Sequence, residues 1–560
     1  MLTACPYYAA RCVFTSRLLF GFVAFGLASP AWAQDVRDGD TLPARAGGLI
    51  IAPAFSGGTE RFGPKFRFFG RESILADFAG ISLLESIVGK GAPLEQAKGL
   101  LGGDFGVTNF EASQNSVGLN FTLAYGITDR LTVAAVGAWS YASYDIEAWL
   151  SSSQPNLPNG GRSYYRAKDR RALVCPTGEI QLQNPDDLFK ILDFVGAPYQ
   201  FNIDDLRTAL TSDCFGFKDP FDSSARDADN TIRARGSRNY SGFRDTILGA
   251  KYQWFHGEHL HLSSLVYVVM PTGTPDDPDD LFDPSFGDGN WDAALILGAT
   301  IPLGDFRIGV AAGYEIQFAD SLVRRLSGVS FPDELETKLA NNEISEQDLY
   351  DQYLDDGGSL PIVTAYEKAN VSRKLGDNFY LYSTFGYQIL EWLGVGMNVD
   401  FLYHFRDELT DTGTRVADGT RFKTSAELRA EVDQKLAADI AAGTVPPENE
   451  AAERVTRLRA ALPSSAERRA AAYGWHTVRT SIVTGFNVQV NTLGPFLRDE
   501  FPLPLIVAVN AAIPVAGKNL DAIDSFGLTL TIPFITGEVK DPAEYGYDDD
   551  PEPGRGLPWP

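Results

Sequence analysis

The amino-acid sequence predicts an all-β fold, a transmembrane antiparallel β-barrel of about twelve strands with long, partly helical extracellular loops. Three observations predict it. Apolar residues recur at every second position over runs of about ten residues, long enough for a tilted strand to cross a bilayer. No segment offers the roughly eighteen consecutive apolar residues that a spanning helix needs. Tight turns alternate with long insertions, the asymmetry of barrels whose turns face the periplasm and whose loops face outward.

Arg11 and Arg17 precede an apolar run from Leu18 to Leu27, and Ser29-Pro30-Ala31-Trp32-Ala33 then places small residues where a signal peptidase reads them. Residues 1–33 are therefore expected to be a signal peptide cleaved after Ala33, and export followed by spanning strands implies the outer membrane of a Gram-negative bacterium. Cys5 and Cys12 leave with the signal, and neither stands at the cleavage site, so a lipid anchor is not expected. Only Cys175 and Cys214 remain, in one long loop of an exported chain, where two such thiols usually pair. The bridge would close about forty residues and contribute roughly 4 kcal/mol in the chain-entropy model. Two free thiols are the alternative.

The barrel is expected over residues 34–534. A first strand near Gly48 to Phe55 precedes the clearest hairpin, in which Val117, Leu119, Phe121, Leu123, Tyr125 and Ile127 alternate with small and polar residues. Thr128-Asp129-Arg130 makes its turn, and Leu131, Val133, Ala135, Trp139 and Tyr141 run out of it. Weaker strands around Tyr240 to Trp254 and His259 to Met270 share the turn His256-Gly257-Glu258. Trp291 to Ile301 and Phe306 to Phe318 flank Gly304-Asp305, and Phe379 to Ile389 and Leu393 to Phe405 flank Glu391-Trp392. Strands at Val478 to Val490, Leu503 to Val515 and Phe526 to Phe534 complete the set. An open sheet of this size would leave bare edges in lipid, so closure is required. Fourteen strands is the alternative, because the segment from Gly358 to Leu375 has room for another pair.

Long loops are expected at about 56–110, 148–238, 321–376 and 407–472. The first holds a helical pattern through Ile74, Leu75, Phe78, Ile81, Leu84, Ile87 and Val88, and the apolar stretch from Ile74 to Leu101 could instead be a plug. A charged helix is expected near Phe331 to Leu354, and two helices in the last loop, parted by Gly443 and Pro446-Pro447. These helices either cap the pore mouth or fold against each other as decoration. Residues 535–560 read as an acidic, proline-rich tail.

With 48 basic and 73 acidic residues the formal charge is −25, which argues against a nucleic-acid partner. A hydrophobic fraction of 44% and a mean hydropathy of −0.12 suit strands that are half polar between wet loops. The lumen-facing set includes Arg307, Glu315 and Gln317 on one strand, Asn398, Asp400, His404 and Arg406 on another, and Arg479, Asn487 and Gln489 on a third. Such groups either set the selectivity of a pore or pair across it and fill it. His256, Glu258, His259 and His261 have metal-type side chains without a zinc spacing, and Asp276, Asp277, Asp279, Asp280 and Asp283 form an acidic outer loop without the spacing of a calcium loop, which reads as an exposed, solvated run. No metal, cofactor or catalytic residue is expected. Asp400 and His404, the one same-face pair of enzymatic type, stand about 13 Å apart along a strand.

Tyr125-Gly126-Ile127-Thr128-Asp129-Arg130-Leu131, Pro271-Thr272-Gly273 and Asp288-Gly289-Asn290-Trp291-Asp292, with the strand pair at Gly304-Asp305, resemble the outer-membrane proteins linked to the meta-pathway of phenol degradation. Those are similar in turn to fatty-acid and toluene channels of the FadL and TodX type. The resemblance covers the barrel from about Ser116 to Phe405. It implies a channel in outer-membrane lipid for passive uptake of small hydrophobic or aromatic solutes. It also implies a barrel-assembly machinery that meets a tail beyond Phe534 in place of a terminal aromatic. A general porin, or a surface protein whose large loops bind a partner, are the alternatives.

Overall fold

The computed structural model describes residues 41–62, 65, 67–69, 71–73, 81–82, 107–151, 218, 233–280, 282–326, 331, 333–345, 367–474, 477–498 and 500–536. The signal peptide, Cys175 and Cys214, and nearly all of the tail lie outside these residues, as does the helical pattern from Ile74 to Val88 apart from Ile81–Ser82, which is a short strand.

Twelve antiparallel strands close into a barrel. They are β1 (Ala46–Gly58), β2 (Val107–Thr128), β3 (Leu131–Ser151), β4 (Arg233–Phe243, resuming at Thr246–Gly257), β5 (Leu260–Met270), β6 (Asp292–Leu303), β7 (Phe306–Gln317), β8 (Asn378–Leu390), β9 (Leu393–His404), β10 (Arg479–Asn491), β11 (Ile506–Lys518) and β12 (Asp524–Ile535). Each strand pairs with the next in sequence. Leu49 of β1 faces both Leu123 of β2 and Ile532 of β12, which shuts the ring. Every wall strand thus has partners on both sides, as lipid demands of backbone it cannot hydrate.

The period of two sorts the side chains. Phe121, Leu123, Leu295, Leu297, Val310, Leu381, Phe385, Phe486, Val488 and Leu528 point outward and are exposed, forming the belt that lipid covers. Trp291, Phe318 and Phe405 lie at its extracellular rim and Trp392 at a periplasmic turn, as interfacial aromatics do. The turn at Gly304-Asp305 is tight because Gly304 adopts φ +64°, open to glycine at no steric cost. β11 begins at Ile506 rather than Leu503: Pro502 and Pro504 have no N–H to give the ladder.

β2 and β3 run to 22 and 21 residues, about twice the length a bilayer needs, so their hairpin stands well above the belt. The fourteen-strand alternative fails because Glu367–Lys374 leaves the wall: it pairs with Asp320–Leu326 and Glu408–Arg415 in a separate three-stranded sheet over the mouth. Beside this sheet α1 (Asp333–Ala340), α2 (Ser425–Ala441) and α3 (Glu450–Ala461) pack on one another, and on it rests α4 (Ala466–Gly474). The two helices expected in the last loop are α2 and α3, parted by Gly443 at φ +75° and by Pro446-Pro447. The strand Glu408–Arg415 and α4 were not legible as separate elements. The third-loop helix is described as eight residues, ending at Ala340.

This cap has cores of its own. Phe331, Leu339, Val432, Leu458 and Leu462 pack together between α1, α2 and α3, and Leu326, Ala369, Val371, Phe422 and Ala466 pack between the small sheet and α4. The helices therefore fold against each other, and the sheet beneath them binds the mouth.

Candidate functional site

The inner face of the barrel has two unlike walls. Leu265 and Tyr267 of β5, Ala294 and Ile296 of β6, Ala311 of β7, Tyr380 and Tyr382 of β8 and Leu402 of β9 form one buried apolar cluster on the lumen side. The rings of Tyr380 and Tyr382 stack 5.8 Å apart at 9°. Across the barrel, β1, β2, β11 and β12 present Ser56, Gln114, Ser116, Asn120, Thr122, Asn510 and Thr529. There Ser56 and Ser116 share a hydrogen bond of 2.5 Å, and Asn510 Nδ2 donates to Thr529 Oγ1 at 3.1 Å.

Glu315 stands at the top of the apolar wall, where β7 leaves the membrane. Its Oε2 accepts from the Tyr267 hydroxyl at 2.5 Å, and its Oε1 from the Tyr380 hydroxyl at 3.0 Å, Asn378 Nδ2 at 2.6 Å and Gln317 Nε2 at 3.0 Å. A carboxylate held by four donors at 4% exposure turns two tyrosines toward one point. Asn378 passes the chain on. With its Nδ2 given to Glu315, its oxygen accepts from His404 Nδ1 at 2.8 Å, while His404 Nε2 meets Asp407 Oδ1 at 2.8 Å. Asp407 also accepts from the Gly376 N–H at 2.7 Å, and its own N–H reaches Thr477 Oγ1 at 2.9 Å. Burial alone would push the Asp407 carboxyl up, but His404 beside it holds it below the usual range. One hydrogen-bonded line thus runs from the tyrosine wall to the cap.

The structure brings Glu315, Gln317, His404 and Arg479 together as buried groups at the extracellular end of the lumen, with His404 and Arg479 directly paired in register. Asn398 donates to Asp400 at 2.9 Å lower on β9. Its carboxamide fills the space where Gly485 lacks a side chain, and the Asn487 carboxamide does the same over Gly396. Arg307 and Gln489 are half-buried toward the periplasmic end. Arg406 lies past the end of β9, against Gly474 of α4 rather than in the wall.

Sequence reasoning missed the acidic loop between β5 and β6, which read as a solvated run. It folds inward instead. Asp276 pairs with the buried Arg324, Asp279 with Arg325 and Lys368, and Asp277 with Lys218 at 2.6 Å, so the small sheet of the cap grips it. Phe282 lies 6.4 Å from the Tyr144 ring on β3, and the Tyr240 hydroxyl donates to Asp280 at 3.0 Å. The loop's ends meet at Gly273 and Gly287, whose Cα atoms approach too closely for any side chain. Asp245, in the break of β4, accepts from the Gly273 and Asp288 N–H groups. Burial pushes Asp283 up to about 6, with Asp280, Asp276 and Asp277 adding to the rise. The signal available was the Pro-Thr-Gly and Gly-Asp-Gly spacing at the loop's ends.

At the periplasmic end, Thr41 to Arg45 lie against the inner face. Leu42 N–H donates to Thr132 Oγ1 at 2.7 Å and Thr41 Oγ1 to the Asp129 carbonyl at 2.8 Å, with the Pro43 carbonyl against Gly126. His256 and His261 stack across the β4–β5 hairpin at 4.1 Å. Among the described residues, no group of three or more His, Cys, Asp or Glu could hold a metal ion.

A closed antiparallel barrel with an apolar outer belt is an outer-membrane β-barrel. Residues 204–330 match the family described as putative MetA-pathway of phenol degradation, the family that the hairpin signatures resemble. Among solved structures the chain is similar to an outer membrane channel from Pseudomonas putida F1, at 10% identity and a TM-score of 0.38, covering 89% of this chain and 98% of that one. It is also similar to a mutant of the TodX monoaromatic hydrocarbon channel, at 8% identity and a TM-score of 0.27 over 91% and 94% of the two chains. A Pseudomonas aeruginosa FadL homologue follows at 9% identity and a TM-score of 0.23, over 88% and 89%. No curated protein matches the chain in sequence. The barrel assignment rests on the closed strand register, not on these likenesses.

Proposed function

We propose that the protein is a channel through which small hydrophobic or aromatic molecules cross the outer membrane passively, down their own gradient. The observation that carries this reading is the apolar, tyrosine-bearing inner wall. A general porin keeps a polar, water-filled interior, whereas Leu265, Ile296, Leu402 and three tyrosines pack this inner wall with apolar and aromatic groups, against which an aromatic ring entering between them would be desolvated favourably. The facing Asn120, Thr122 and Asn510 would take the hydrogen bonds of a hydroxyl or carbonyl on the same solute. The match to a phenol-degradation family accords with a solute of that size. In this reading the docked loop between β5 and β6 filters entry, Glu315 orients the tyrosines, and barrel-assembly machinery inserts the chain despite its tail.

The test is uptake of radiolabelled toluene, phenol and a long-chain fatty acid into liposomes carrying the refolded protein, beside single-channel conductance in salt. Faster uptake of an apolar solute with little ion current supports the proposal, and replacing Tyr380 and Tyr382 by Ala is expected to change that selectivity. Steady ion current without selectivity would make the protein a general porin. Silence in both assays would favour a surface protein whose cap binds a partner.

A further inference from the structure

The acids at the mouth differ in what they meet. Asp276, Asp279, Asp320 and Asp407 each have a basic partner: Arg324, then Arg325 with Lys368, then Arg373, then His404. Asp288 and Asp292, at 8% and 3% exposure, have none among the described residues. The Asp288 carboxylate accepts the Asn290 N–H at 3.1 Å, and Asp292 accepts Asn290 Nδ2 at 2.8 Å. Arg373 comes near but is committed to both oxygens of Asp320 and to the Asp288 carbonyl. The other charged neighbours, Asp245 and Glu315, are themselves acids.

Asn290 supplies the independent observation. It is 2% exposed, and its Oδ1 has no hydrogen-bond partner. The amide cannot be turned to cure this, because Nδ2 already faces the oxygens of Asp292, Gln317 and Phe318. Turning it would set oxygen against three oxygens. Two buried carboxylates without a counter-charge and an orphaned amide oxygen are each costly, and a hard cation held among them would relieve all three. Asp288, Asn290 and Asp292 also stand at alternate positions, the order in which oxygen-ligand calcium loops begin. Gly289 at φ +84° folds the chain between the first two.

We propose that Asp288, Asn290 and Asp292 bind a hard divalent cation of calcium type at the extracellular mouth of the lumen, pinning the loop between β5 and β6 to the start of β6. The set is mixed, two carboxylates and an amide. The alternative is that the two aspartates share a proton.

The test uses the full mature chain refolded in detergent free of lipopolysaccharide and stripped with chelator. Added Ca²⁺ is expected to raise the thermal midpoint with a Kd of about 10⁻⁴–10⁻³ M, the range of extracellular modules, and Mg²⁺ to do less. Tb³⁺ is expected to bind in its place and to emit on tryptophan excitation. Trp291→Phe, which alters a lipid-facing side chain between the ligands, should cut that emission while leaving the Ca²⁺ shift. Asp292→Asn and Asn290→Ala should each weaken the shift at least tenfold in Ca²⁺ concentration. No Ca²⁺ shift in the parent protein, an undiminished shift in Asn290→Ala, or Tb³⁺ emission indifferent to Trp291→Phe would each overturn the proposal. Asn290→Ala, which removes a neutral group, keeps the test open if Asp292→Asn fails to refold. These readouts measure binding, so their failure is distinct from failure of the transport assay.

Discussion

Glu315 shows how one side chain orders the lumen. It was expected to line the pore, and the structure makes it the acceptor for Tyr267, Tyr380, Asn378 and Gln317. Hydrogen bonds to a charged group contribute about 1.5–3 kcal/mol each, and those sharing one acceptor do not add. Glu315→Leu is therefore expected to cost about 2–4 kcal/mol, read as a lower urea midpoint of tryptophan fluorescence, and to free both tyrosine rings. Glu315→Gln, which keeps the shape but loses the charge and one acceptor, should cost less; equal cost would show that the charge carries the whole effect, and no cost that it has no part. The glycine slots make a second residue-scale case. A Cβ at Gly396 would stand 2.4 Å from Asn487 Oδ1, so Gly396→Val must expel that side chain and should destabilise the β9–β10 pair.

At the scale of elements, the cap hangs on buried arginines. Arg468 of α4 is fully buried, holds Glu336 of α1 through two hydrogen bonds of 2.8 and 3.3 Å, and lies over the Phe331 ring. Removing one partner of such a pair leaves an uncompensated charge, which costs about 3–5 kcal/mol. Arg468→Leu is expected to open the cap to protease while the barrel keeps its heat-dependent gel mobility, and loss of both would show that cap and barrel fold as one unit. α2 begins with a capping box in which Thr424 and Glu427 exchange hydrogen bonds. Thr424→Ala should cost about 1 kcal/mol, visible as faster amide exchange in its first turn.

At the scale of the whole molecule, the docked loop makes the mouth sensitive to pH. Asp283 is raised from 3.8 to about 6, so the docked loop binds its proton more tightly than an undocked one does. Stability contributed by that proton is present in full near pH 4 and is lost as pH rises through about 6. Acidification from pH 7 to 5 is expected to hold the loop down and lower any ion current through the barrel, with Asp283→Asn flattening the response. A current that rises on acidification, or an unchanged response in the variant, would place the titration elsewhere. Salt works against the same dock at its exposed Lys218–Asp277 contact and less at the buried Arg324–Asp276 pair.

The sequence by itself determined the barrel, because lipid imposes a period of two on each wall strand, and that period is written in neighbouring residues. Turn positions, strand number and the two helices around Gly443 were legible for the same local reason. Only the tertiary structure decided the mouth. Asp276 reads as a solvated acid until the small sheet brings Arg324, 48 residues away, against it, and Glu367–Lys374 reads as a possible wall strand until it pairs with Glu408–Arg415. The alternation also marks which residues face inward without saying what they meet across the lumen. Tyr267 and Glu315 lie on strands that are not neighbours, and their contact exists because closure curves the wall until distant positions share one point.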